Sequence, residues 1–107
     1  MEYRGIEENS EDEYLINLYM ENNTDEDLSY VFDETLINGF DIVVYNSYIK
    51  IPHNSKHLTI PNYEMVINKE DLAAYNIEEI KDINCTFKVM SKDLDKDFWQ
   101  TDLDILE

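Results

Sequence analysis

Apolar and polar side chains alternate with a two-residue period through much of this chain. Ile83, Cys85, Phe87 and Val89 alternate with Asn84, Thr86, Lys88 and Met90, the repeat of a strand with one face buried. Tyr14, Ile16, Leu18 and Met20 share one face of a second strand, and Leu28, Tyr30 and Phe32 resume the pattern after the polar run Asn22 to Asp27, which implies two strands joined by a turn. Asn38-Gly39 follows Leu36 and Ile37; both residues tolerate positive φ, so the pair marks a tight turn. Pro52 and Pro61 flank His53 to Ile60, where only short or edge strands are expected, since proline donates no ladder hydrogen bond. Trp99, Thr101, Leu103 and Ile105 alternate with Gln100, Asp102 and Asp104 in what reads as the last strand, its outer face acidic.

One short helix interrupts the alternation. Asn68 is placed to cap it, Glu70 and Asp71 sit at the positive end of its dipole, and Leu72, Ala73 and Ala74 propagate it. Asn76 can take the left-handed conformation that ends a helix, returning Ile77 to the core. Five to seven short strands with one crossover helix argue for an antiparallel β-sandwich. At 107 residues the chain is expected to form a single domain over residues 1–107 around one core.

Charge changes the picture more than composition does. The formal net charge is −17, yet hydrophobic content is 43%, so acidity here does not signal disorder. Up to Asp41 thirteen acids face one base, from Ile42 to Tyr63 there are two lysines and no acid, and from Glu64 onward twelve acids face five lysines. Such a field repels nucleic acid and anionic membrane and attracts basic surfaces. The Met1 end has neither a basic n-region nor an apolar h-region, and no apolar run approaches the length of a membrane span. A cytoplasmic address is expected for the chain as written, and an extracytoplasmic one if it was trimmed from a lipoprotein.

The run MENNTDEDLSYVFDETLINGF, followed by MVINKEDLAAYNIEEIKDINCTFKVM and by FWQTDLDI, resembles an immunoglobulin-like domain of Firmicute lipoproteins and membrane-anchored zinc-ribbon proteins. The matching places are Asn22-Asn23, Ile37-Asn38-Gly39, Pro52 to Lys56, Asn68 to Leu72, Asn76-Ile77 with Ile80, and Phe87 to Val89. His53 to His57 replaces the family's glycine-containing turn, Asn76 replaces the usual helix-ending glycine, and a lipobox cysteine is missing. The resemblance implies an immunoglobulin-like sandwich with a binding surface, and carries over no catalytic residue.

Chemistry is sparse. Asp93, Asp95 and Asp97, with Asp104 eleven residues after the first, have the oxygen spacing of a calcium loop, but Phe98 stands where glycine makes the sharp bend, so a solvated acidic turn is preferred. His53 and His57 flank a turn without an adjacent carboxylate or thiol to complete a metal site. Cys85 falls on the apolar face of its strand and is expected to be a buried, inert thiol. Two asparagine sequons, at Asn22 and Asn84, match as chance would allow among eleven asparagines. No catalytic residue and no cofactor is assigned, and the chain reads as non-enzymatic.

The remaining signal is the acid itself. Carboxylates at alternate strand positions stand about 6.6–6.8 Å apart, and two or three strands together approach the phosphate density of nucleic acid. Glu11, Asp12, Glu13, Asp25, Glu26, Asp27, Asp33, Glu34, Asp102 and Asp104 are therefore the candidate partner-binding residues, expected on one continuous face. The partner expected is a basic protein, with nucleases and other nucleic-acid-binding proteins the favoured class, blocked as DNA-mimic inhibitors of the anti-CRISPR or anti-restriction type block theirs. The alternative is an extracytoplasmic immunoglobulin-like accessory or adhesion module that binds through the acid-free segment Ile42 to Tyr63.

Overall fold

Alternating apolar positions become strands because a sheet can bury one face and leave the other to water. In the computed structural model, which describes residues 1–9, 12–61 and 63–106, nine strands and one helix form. They are β1 (Glu2–Glu8), β2 (Glu13–Asn22), β3 (Leu28–Ile37), β4 (Phe40–Asp41), β5 (Tyr48–Ile51), β6 (Ser55–Leu58), β7 (Val66–Asn68), α1 (Lys69–Ala73), β8 (Ile83–Ser91) and β9 (Asp97–Leu106). Strands β1, β2, β6 and β7 make one antiparallel sheet, in which β6 and β7 share one edge of β2 and β1 takes the other. The second sheet runs β9-β8-β3, with β4 and β5 dividing the far edge of β3 between them. The chain thus passes from a hairpin in one layer to the second, back to the first at β6 and β7, and again to the second at β8 and β9, the arrangement of an antiparallel β-sandwich.

The core lies between the layers. Ile16, Leu18 and Met20 from β2 meet Phe32 and Ile37 from β3 and Ile83, Cys85 and Phe87 from β8, all buried in one cluster. Each large aliphatic side chain removed from water there contributes about 1.5–3 kcal/mol. Phe87 sits against Phe32 with ring centroids 5.1 Å apart and receives Tyr30 and Trp99 edge-on at 5.6 and 6.1 Å. The inward faces of β2, β3 and β8 are those the alternation implies.

Asn38-Gly39 does form the β3–β4 turn, with φ of 51° and 84°. The Asn38 side chain also ties this turn to the segment before β8: its amide donates to the Glu79 carbonyl at 2.7 Å, and its oxygen accepts the Lys81 and Asp82 amides at 2.8 and 3.1 Å.

Three expectations need correction. Asn68 occupies the N-cap position of α1 in extended conformation but makes no side-chain capping hydrogen bond; the main-chain Lys69 amide instead donates to the Asp12 carbonyl at 3.0 Å. The far end of α1 does follow expectation, since Asn76 has φ of 57° and Ile77 donates back to the Leu72 carbonyl. Among the described residues nine strands form where five to seven were expected, because β1 is too polar and β4, β5 and β7 too short for alternation to reveal. In β9, Ile105 is buried but Trp99 is 56% exposed, since β9 is an edge strand with sheet on one side only and its first four residues are all exposed.

Candidate functional site

The outer face of β3-β8-β9 gathers acids from three separate stretches of sequence. Register places Asp33 opposite Thr86 and Thr86 opposite Asp102, while Leu36, Asn84 and Asp104 form the next row. Two strand spacings separate the Asp33 and Asp102 backbones by about 9–10 Å. Asp41 on β4 pairs with Leu36 and so joins the same face. Glu34 reaches it through a β-bulge: register shifts between Asp33 and Leu36, Glu34 has φ of 48°, and its amide donates to Asp33 Oδ1 at 3.0 Å. The inserted residue sends Thr35 into the interior and leaves Glu34 exposed, re-aiming side chains as bulges do.

Neutral donors on the central strand orient these acids. Asn84 Nδ2 donates to Asp104, and Thr86 Oγ1 donates to Glu34 Oε2 at 3.4 Å. Lys88 Nζ lies 3.3 Å from Asp33 Oδ2, and Lys50 on β5, opposite Ser29, points to the same side of the sheet. A shallow depression runs between Glu34, Asn84, Thr86, Asp102 and Asp104. Beneath it Cys85 has its thiol pushed up to about 11, first by burial and then by the negative fields of Asp104 and Asp33; such a thiol stays protonated.

The other acids expected at a partner surface lie elsewhere. Asp25, Glu26 and Asp27 occupy the β2–β3 turn, at the opposite end of β2 from Asp12 and Glu13. Ten residues of strand between them correspond to roughly 30 Å, so the described members of the set fall into three groups. Glu11 lies outside the described residues. At the β2–β3 turn Asp27 Oδ1 accepts both the His53 amide, at 2.9 Å, and His53 Nδ1, at 2.8 Å. The His53 side-chain hydrogen bond, foremost, and its amide hold the Asp27 carboxyl below the usual carboxylate range. Near the β1–β2 turn, the Lys69 ammonium 2.7 Å from Glu8 holds that carboxyl down in the same way.

The two histidines serve separate carboxylates. His57 Nε2 lies 2.7 Å from Glu64 Oε1, which also accepts the Ile60 amide at 2.9 Å. Glu64 is itself buried, a pairing that residue spacing alone does not signal. Asp95 in the β8–β9 turn accepts the Ser91 hydroxyl. Among the described residues no group of three or more His, Cys, Asp or Glu side chains is arranged to hold a metal ion, and no helix is long and apolar enough to cross a membrane.

Reasoning from sequence missed Asp41, the bulge at Glu34 and the orienting roles of Asn84 and Thr86. Only the alternation of β8, which sends Asn84 and Thr86 away from the core, pointed toward them. Comparison of the chain with protein families, curated proteins and solved structures finds no match.

Proposed function

We propose that this chain is a non-enzymatic acidic binding protein that occupies a basic surface on its partner, a surface of the kind that otherwise holds nucleic-acid phosphates. What supports the reading is the sheet face bearing Asp33, Glu34, Asp41, Asp102 and Asp104, five carboxylates on paired strands with Lys88 beside them. Strand backbones hold carboxylates at spacings that flexible loops do not, so less ordering accompanies association, and Arg or Lys on the partner gains charge-assisted hydrogen bonds. DNA-mimic inhibitors of anti-CRISPR or anti-restriction type work on this physical basis. The test is retention of proteins from a host lysate at low and high salt, with duplex DNA as competitor. A single nuclease or DNA-binding protein displaced by DNA and by salt is expected, and Asp102→Lys with Asp104→Lys should slow its association. Retention indifferent to salt, to DNA and to the charge reversal would sink the proposal.

A second reading, an immunoglobulin-like accessory module related to the Firmicute surface domains, draws support from a different observation. The acid-free segment exposes Val43, Tyr45, Tyr48, Leu58, Ile60 and Tyr63, apolar side chains spread over both sheets that are available for protein contact. Binding that persists at high salt and disappears when Tyr45, Tyr48 and Tyr63 are changed to serine would favour it.

A further inference from the structure

The two sheets end differently, and the difference singles out one edge. β1 closes the first sheet, but register shifts between Tyr3 and Ile6 and Gly5 takes φ of 112°, so its outward backbone is broken by a bulge. The opposite edges are divided among strands of two to four residues, β4 and β5 in one sheet and β6 and β7 in the other. Bulges and short edge strands are how folded proteins prevent strand addition. β9 differs: it spans ten residues, pairs only with β8 among the described strands, and contains neither proline nor lysine. Its register is regular from Trp99 opposite Val89 to Asp104 opposite Asn84, with shifts only beyond those ends. Over that stretch the outward backbone donors and acceptors have no strand partner among the described residues.

We propose that β9 is a docking edge which takes an extended, basic segment of the partner as an added strand. The proposal rests on the basic-partner reading above and names the mode of contact. Side chains select the occupant. Gln100, Asp102 and Asp104 point to the outer face, while Trp99, Thr101 and Leu103 point to the inner one, where Trp99 is exposed and Leu103 half-buried. A strand alternating Lys or Arg with apolar residues would set its cations beside Asp102 and Asp104 and its apolar side chains against Trp99 and Leu103, favourable cross-strand pairs on both faces. A second copy of this chain does not fit. With outer faces aligned, its own Asp102 and Asp104 would lie alongside the same carboxylates, and like charges across strands repel.

The experiment uses the full chain, labelled with 15N, and a nine-residue peptide alternating lysine and valine. Its control is the same peptide with every backbone amide N-methylated, which keeps charge and length but cannot donate to a strand. At low ionic strength the first peptide is expected to bind at least tenfold more tightly than the second and to slow hydrogen exchange at alternate amides of Trp99 to Asp104 by tenfold or more. In the Asp102→Lys, Asp104→Lys variant, shown to be folded by circular dichroism, preference should pass to a glutamate–valine peptide. Equal binding of both lysine peptides without protection of β9 overturns strand addition and leaves the basic-partner reading standing. Failure of both lysine peptides to bind overturns both readings, and an unchanged preference in the charge-reversed variant overturns the selection by Asp102 and Asp104.

Discussion

Asn22 Nδ2 donates to the main-chain carbonyl of Ile51, 3.0 Å away and twenty-nine residues along the chain. The same amide reaches the Glu26 carbonyl at 2.7 Å, and Oδ1 accepts the Thr24 amide and hydroxyl at 3.1 and 2.7 Å. Every hydrogen-bonding position of this buried side chain is used, and through it the β2–β3 turn is fastened to the end of β5. Asn22→Ala should lower stability by about 2–3 kcal/mol, because several buried partners lose their bonds together. Asn23→Ala, at an exposed position beside it, should change stability by no more than ~0.5 kcal/mol. Urea unfolding of the two variants checks the contrast.

The link between Asp27 and His53 has a pH signature. With its folded carboxyl pKa held below the unfolded value by the His53 contacts, Asp27 adds stability that is fully present above the ordinary carboxylate range. That contribution is lost as pH falls through the folded value. Asp27→Asn should therefore reduce the acid sensitivity of the melting temperature while leaving its slope above neutrality unchanged. Melting curves across the acid limb provide the comparison.

Cys85 is expected to resist alkylation in the folded protein. A thiol pushed up to about 11 from a usual value of 9.0 carries about a hundredfold less thiolate at pH 8. Iodoacetamide should label the native chain at least that much more slowly than the urea-unfolded chain. Labelling at equal rates would show the thiol to be neither buried nor held protonated.

Repulsion along β9 should keep copies of this chain apart. Asp102→Asn with Asp104→Asn removes two charges from an unbroken edge without altering side-chain shape, and self-association is then expected at concentrations where the parent chain stays monomeric. Sedimentation velocity distinguishes the two, and a monomeric variant at all concentrations would count against an open edge.

Much of the fold was legible along the chain. The alternations in β2, β3 and β8, the Asn38-Gly39 turn and the left-handed Asn76 all depend on neighbours within a few residues, and each lies where local chemistry places it. The candidate site was legible in part. Asp33, Glu34, Asp102 and Asp104 were identified from acid density, but the same criterion also selected Asp12, Glu13 and Asp25 to Asp27, which belong to the two ends of the molecule. Density along a chain carries no information on which strands become neighbours.

Local periodicity settled which residues face inward, because burial of one side of a strand imposes its two-residue repeat on any sequence that folds this way. Pairing between distant strands settled the rest. It brought β3, β8 and β9 into one sheet, set the Glu34 bulge, joined His57 to Glu64, and left β9 without a second strand partner among the described residues. Those outcomes follow from register and from the completion of buried hydrogen bonds across tens of residues, relations that exist only once the two layers have closed on each other.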